Sequence, residues 1–418
     1  MSNLVLTQDQ QNAYDAFASW LLTPTEEEPV LVLEGYAGTG KSTLVDKLLT
    51  DIPKMLNALS LIDPTFDDDY EIVLSATTNK ACEALSDIVT FPVNTLHSVL
   101  GLTVKQNHRT GKTSVVVKSG ANKIKNSIIF IDEASFLDAK TLSLIFEQTI
   151  NCKIFFIGDP AQLSAVKATG TPVFSKGYPT IKLLQVVRQA EGSQIKELAS
   201  AFRNTVNGED FPQFTPDNSE VILLDEDDFH AEMLTEFGRS DWEHADSKVL
   251  AWTNKTVIEY NRTVRDNLHG EPEIQIGDYA TVNSYVQVGR KGLKTDQQVQ
   301  ISDKRVASQY GVPGHIFSLI TPNVQVFVPT DWSLAKATLQ KARQTEDWVK
   351  VKEITESWTD LRATYACTIN KSQGSTYGKV FVDLNDIKKC RNSNQIARML
   401  YVAVSRAKYN VYLKGDII

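Results

Sequence analysis

What this chain lacks narrows its chemistry before any motif is weighed. Cysteine is scarce: Cys82, Cys152, Cys367 and Cys390 are the only four in 418 residues, far apart and with no CxxC pair. That usage argues against a zinc site and a disulfide framework, and makes the cytosol the expected compartment. Long apolar runs are missing, none exceeding the length of a buried strand, and MSNLVLTQDQ shows no basic segment followed by an apolar one. Neither export nor membrane insertion is expected. Basic charge is not in excess either, since 43 Lys and Arg against 51 Asp and Glu leave a net charge of -8. This disfavours a protein that coats nucleic acid, although a local basic groove can coexist with an acidic exterior. There is no internal repeat, and the one charge run, Asp67-Asp68-Asp69, reads as a solvated loop.

What remains has the texture of an α/β enzyme of roughly two to four domains. Short β-branched runs at Val30 to Glu34, Glu71 to Ser75, Ser127 to Ile131 and Lys153 to Ile157 alternate with helical patterns. That alternation marks a parallel sheet covered by helices, which binds its ligands at the carboxyl ends of the strands. After about Gln185 the pattern restarts with a helical stretch Ser193 to Asn204, a strand Lys248 to Trp252 and a helix from Asn254. From Ile274 to about Gln325 short strands separated by glycine and proline turns suggest a small β barrel inserted into this second domain. A polar helical segment follows, whose Trp332, Trp348 and Trp358 read as packing anchors, before Val380 to Asp383 and Tyr409 to Leu413 return to buried-strand composition.

The first run leads into Gly35-Tyr-Ala-Gly-Thr-Gly40-Lys41-Ser42, which fits G-x-x-x-x-G-K-[ST] between a strand and a helix. Gly35, Gly38 and Gly40 let backbone N–H groups of the turn, with Thr39 and Thr43, approach phosphates. Lys41 reaches the outer phosphates, and the Ser42 hydroxyl can ligate Mg²⁺. ATP and Mg²⁺ are therefore the expected cofactors. The apolar strand ending in Asp132-Glu133 offers one carboxylate for the Mg²⁺ shell and a second to orient or deprotonate the attacking water, although an acidic pair can also simply cap a helix. A third strand ends in Gly158-Asp-Pro-Ala-Gln162, where Gln162 can sense the terminal phosphate.

In LTQDQQNAY, LLQVVRQ, TINKSQGST and YVAVSRAKYNVYL, in that order along the chain, the sequence resembles superfamily 1 helicases of the RecD-like branch, most nearly the small phage Dda type. The resemblance implies two RecA-like P-loop domains, a β-hairpin inserted in the first and an SH3-like barrel in the second. The expected division is 1–100 and 123–185 for the first RecA-like domain, with the hairpin at 101–122. The second takes 186–273 and 361–418, with the barrel and its helical extension at 274–360. It implies that Gln10 contacts adenine, a position that by itself reads equally well as a helix cap, and that Arg188 and Arg406 reach the ATP from the second domain.

The family also supplies a nucleic-acid side. Thr78, Asn79, Thr95, His97, Thr253, Asn254, Lys255, Thr368, Asn370, Lys371, Ser372 and Gln373 lie in stretches that, taken singly, read as caps or turns. Together, in family order, they imply sequence-independent contacts to a strand. The segment 102–118 reads as a basic β-hairpin, implied by the family to be a duplex-splitting pin with His108 or Arg109 near its tip. Asn370 and Asn79 stand where the family carries histidines, keeping hydrogen bonding but losing ring stacking. The expectation is a monomeric ATP-dependent DNA helicase acting 5′ to 3′ on single-stranded DNA and ss/ds junctions, alongside replication or recombination proteins in a bacterial host cytoplasm. An RNA helicase and a non-translocating ATP-dependent switch are the alternatives.

Overall fold

The computed structural model describes residues 5–62, 69–106, 113–163, 171–187, 192–288 and 291–416. Six parallel strands form the first sheet, in the order Val93–Thr95, Glu71–Ala76, Ile124–Asp132, Thr149–Gly158, Val30–Gly35, Thr180–Leu183. The central ones are buried on both faces, which is why they read as unbroken apolar runs rather than alternating ones. On one face Phe17, Trp20, Phe130 and Phe155 interlock, with Phe17 and Phe155 edge to face at 5.0 Å. On the other, Val32, Ile131, Ile145 and Phe156 pack together. The register pairs Ala76 with Asp132, Ile131 with Phe156 and Glu34 with Gly158, so these strands deliver their carboxyl ends to one edge.

A second parallel sheet runs Ala366–Thr368, Ser247–Ala251, Tyr377–Asp383, Ala407–Lys414, Val221–Leu224. The helices Gln194–Val206 and Ser393–Ser405 cover one face through Phe202, Leu400 and Val402. Ala161 and Leu163, which follow the first sheet's strand Thr149–Gly158, are buried in this same core. A loop of the first unit is thus packed into the second.

Between the second unit's strands lies a five-stranded antiparallel sheet, ordered Val324–Pro329, Val312–Leu319, Gln298–Gln309, Tyr279–Val282, Leu361–Ala363, with a hairpin of Val286–Val288 and Lys291–Leu293. The helices Trp332–Gln344 and Trp348–Ser357 return onto it, where Trp358 packs on Phe327 and donates its indole N–H to Gln309. Only Trp358 of the three expected anchors is buried. Trp332 and Trp348 are the first residues of their helices, 39% and 37% exposed, because a side chain in the first turn reaches past the end of the packed face.

Leu102–Gln106 and Thr113–Val117 pair as an antiparallel hairpin whose base, through Leu102, Val115 and Val117, packs on the first sheet's core. Residues 107–112, with His108 and Arg109, lie outside the described residues, as does most of the acidic run. Among the described residues no helix is long and apolar enough to cross a membrane.

Candidate nucleotide site and the cleft between the sheets

The strand Val30–Gly35 turns through Tyr36–Gly40 directly into the helix Lys41–Ile62. Gly40 has φ +78°, and a Cβ there would stand 2.3 Å from Gln10 Nε2. Both backbone conformation and space therefore demand glycine. Thr39 is buried and donates to Tyr36 O at 2.9 Å, tightening the turn. Lys41 Nζ donates to Gly35 O at 2.6 Å and Tyr36 O at 3.1 Å. Ser42 and Thr43 open the helix and, with Gly38, Thr39, Gly40 and Lys41, line a cleft of about 840 Å³.

Gln10 is buried against this loop. Its Oε1 accepts from Thr7 N–H at 3.0 Å and its Nε2 donates to Thr39 O at 3.1 Å. The helix cap that the residues alone allowed is present, and the same amide touches the loop. Engaging an adenine would mean exchanging one of these bonds.

Asp132 and Glu133 face the cleft from the end of the strand Ile124–Asp132, next but one to Val30–Gly35 in the sheet. Burial pushes the Asp132 carboxyl up, against the pull of the Glu133 N–H and the Lys41 charge. Glu133 is pushed up to about 7, first by burial and then by the Asp132 charge, while Lys41 and Arg406 pull it back. A carboxyl poised near neutrality suits proton transfer at working pH. Its backbone sits at φ 55°, ψ 42°, left-handed for a non-glycine residue, a strain that neighbouring groups must hold. Thr77 does so by donating its N–H to Asp132 O and its hydroxyl to Glu133 O. Glu133 Oε2 is buried with no hydrogen-bond partner in the structure.

The second sheet brings Arg406 to the same cleft from the end of the helix Ser393–Ser405. It is 4% exposed, aimed by bonds to Val402 O, Ser375 O and Ser405 Oγ. Arg188 lies outside the described residues. Gln162 reaches the cleft too, but its amide is engaged, donating to Asp159 and accepting from Gln373 Nε2 at 3.2 Å.

Three residues that the sequence reading passed over tie the halves together. Tyr401 accepts from Ala37 N–H at 2.9 Å and donates to Asp159 Oδ2 at 2.5 Å, while Arg398 donates to Pro160 O and Gln162 O. Tyr401 and Arg398 lie on the helix that ends in Arg406, and their place beside YVAVSRAK was the available signal.

Among the strand-contact candidates, Asn254, Thr368 and Lys371 line the cleft, as does Lys80, which donates to Lys371 O and Tyr377 OH across it. Thr78, Thr95 and Thr253 accept N–H groups at helix starts, the ordinary role that each allowed. Asn79 begins the helix that Thr78 caps, Asn370 is half-buried, and Lys255 is exposed beside Glu259. Burial pushes the His97 imidazole down, favouring its neutral form. Ser372 and Gln373 point inward: Ser372 bonds to Ile369 O, and Gln373 is 4% exposed and donates to Leu163 O. Lys248, Asn283, Gln298 and Arg362, none of them a site candidate in the sequence reading, also line the cleft.

A phosphate loop on one parallel sheet, faced across a cleft by an arginine from a second, is the layout of an ATP-hydrolysing helicase. Residues 5–219 match the family model of the AAA domain, and residues 363–413 match that of the UvrD-like helicase C-terminal domain. The chain is 20% identical to the uncharacterized protein R530 of Acanthamoeba polyphaga mimivirus over 90% of its own length and 94% of that protein. It is 29% identical to the ATP-dependent RecD2 DNA helicase of Deinococcus radiodurans over 46% of this chain, which spans only 23% of that relative. Pif1 helicases solved on forked double-stranded DNA share the fold, with TM-score 0.50, 16% identity and coverage of 100% of this chain and 93% of theirs. The chain belongs to the AAA-domain family, and the two matches together mark it as a superfamily 1 helicase of the RecD, Pif1 and Dda type.

Proposed function

We propose that this chain is a DNA helicase that moves 5′ to 3′ along a single strand and opens the duplex ahead of it. The observation that carries the reading is the cleft itself. It places the phosphate loop, Asp132 and Glu133 on one wall, Arg406 on the other, and Lys80, Asn254 and Lys371 along the same opening. The RecD2 relative and the Pif1 structures, named for DNA helicase activity and forked DNA, support the choice of substrate. The two parallel sheets act as the motor domains, divided as the sequence suggested, with the hairpin at 101–122 as the pin and 274–360 as the SH3-like insertion.

In the nucleotide step, Lys41 exchanges the carbonyls of Gly35 and Tyr36 for the outer phosphates, and the loop N–H groups cradle the rest. Ser42 and Asp132 are the residues that would hold Mg²⁺. Among the described residues no group of three or more His, Cys, Asp or Glu is gathered for a metal. One carboxylate and one hydroxyl are what a cation shared with phosphates requires, and such a cation supplies charge neutralisation at the transferring group. Glu133 takes the proton of the attacking water as the bond to the terminal phosphate breaks, leaving ADP and phosphate. Arg406 offsets the charge spread over the transferring group, a role that the sequence resemblance extends to Arg188. Because those arginines ride on the second domain, turnover follows the approach of the domains.

Duplexes with a 5′ or a 3′ single-stranded tail test the direction. Strand release only from the 5′-tailed substrate supports it, and release only from the 3′-tailed one overturns it.

A further inference from the structure

Among the described residues, the one hydrogen bond made to the phosphate loop from the second sheet's helices is that of Tyr401, and its geometry carries a role beyond packing. The hydroxyl is buried and fully used: it accepts the N–H of Ala37, inside the loop, and donates to Asp159. Asp159 is itself 0% exposed, and its other donors are Ala161 N–H and the amide of Gln162, both in the loop after the first sheet's strand Thr149–Gly158. One phenol thus joins the two loops of the first sheet that border the nucleotide. Burial and the Asp159 charge hold this phenol well above the usual tyrosine range, so it keeps donating at any working pH.

The same helix, Ser393–Ser405, ends in Arg406, about one and a half turns beyond Tyr401. Arg398, one turn before Tyr401, grips the carbonyls of Pro160 and Gln162, and Arg203 of the helix Gln194–Val206 lies 3.9 Å over the ring of Tyr36 in the loop. The helix is therefore seated on the phosphate loop at one point and carries its arginine to the phosphates from there.

We infer that Tyr401 is a positioning residue for ATP hydrolysis, whose hydroxyl fixes the distance between the phosphate loop and Arg406. This rests on the helicase reading above for the role of Arg406. It requires no contact between Tyr401 and the nucleotide. Removing the hydroxyl leaves a buried ring of the same shape, frees the Ala37 N–H and leaves Asp159 one donor short, so the helix can shift relative to the loop.

The test is Tyr401→Phe in the full chain, assayed for kcat and KM for ATP with and without single-stranded DNA. A fluorescent ATP analogue measures binding separately. Displacement of a charged group by about 1 Å can cost on the order of 100-fold in rate, so kcat should fall roughly 10- to 100-fold, with KM and analogue affinity within about twofold of wild type. Asp159→Asn, which keeps a hydrogen-bonding group against Tyr401, should fall less. A kcat within twofold of wild type overturns the inference, as does a loss of analogue affinity that matches the loss in kcat, since that marks a merely structural role. If the wild-type enzyme is not stimulated by single strands, the strand-coupled reading fails, while the comparison of kcat without DNA still decides the role of Tyr401.

Discussion

Lys371 Nζ stands 2.7 Å from Asp296 Oδ1 and 2.7 Å from Asn283 Oδ1, so an ammonium expected to meet a strand phosphate is held by the inserted antiparallel sheet. A carboxylate in that place competes with a phosphate for the same charge. Asp296 has φ 64°, a conformation asparagine also tolerates, so Asp296→Asn removes the charge without straining the turn.

The expected effect of Asp296→Asn is tighter binding of single-stranded DNA by up to about fivefold at low salt, in keeping with a pair that stays partly exposed to solvent. The slope of log affinity against log salt should steepen by about one contact. Fluorescence anisotropy of a labelled oligo(dT) across a salt series checks both, and an unchanged affinity and slope would remove Lys371 from the strand contacts.

At the nucleotide end, Lys41→Ala should lower ATP turnover by at least roughly 100-fold. Glu133→Gln should keep ATP binding and lower hydrolysis by about 100- to 10,000-fold, since the amide cannot take a proton. Full turnover in the Lys41 variant would sink the assignment of the loop, and surviving hydrolysis in the Glu133 variant would require another base.

Asp386, 1% exposed, accepts the N–H groups of Trp252 and Thr253 and the hydroxyls of Thr253 and Thr256, and pairs with Lys389. Burial alone would push its carboxyl up, but the bond from Lys389 and those from Thr253 and Thr256 outweigh it and hold it below the usual range. It thus fixes the start of the helix Asn254–His269, where the candidates Thr253, Asn254 and Lys255 lie. Asp386→Ala leaves several donors unpaired and should cost about 2 to 4 kcal/mol, measured by urea unfolding. A loss under about 0.5 kcal/mol contradicts the network's weight.

Lys248 is 4% exposed, donates to Thr364 O, and is pushed down to about 8 by burial. Its folded value lies below the unfolded 10.5, so the unfolded state binds the extra proton between those values and stability rises with pH across that window. Lys248→Met should abolish that rise. Unfolding free energies of both proteins at pH 8 and pH 10 decide it, and equal slopes would contradict the depressed value.

The nucleotide half of this site was legible because its signals are local. A phosphate loop sits in one continuous stretch, and strands buried on both faces announce themselves as apolar runs, so Val30 to Glu34 was one residue short of the strand Val30–Gly35. Ser127 to Ile131 missed the start of Ile124–Asp132, where the polar Lys125 and Asn126 interrupt the pattern. Tyr401 and Asp159 could not be paired from sequence, being 242 residues apart and meeting only when the two sheets dock. The same holds for Lys371 with Asp296, whose partner lies in an insertion whose turns give no hint of the direction they face. Trp332 and Trp348, unlike the buried Trp358, failed for a different reason: composition marks a ring as able to pack, whereas its place in the first turn of a helix decides whether it does.

The central claim is that ATP turnover is coupled to a DNA strand in the cleft. Steady-state ATPase rates without nucleic acid, with single-stranded DNA and with single-stranded RNA of matched length test it most directly. Strong stimulation by DNA and little by RNA is the predicted result. A rate that neither polymer changes would contradict the coupling and leave an ATP-dependent switch in its place.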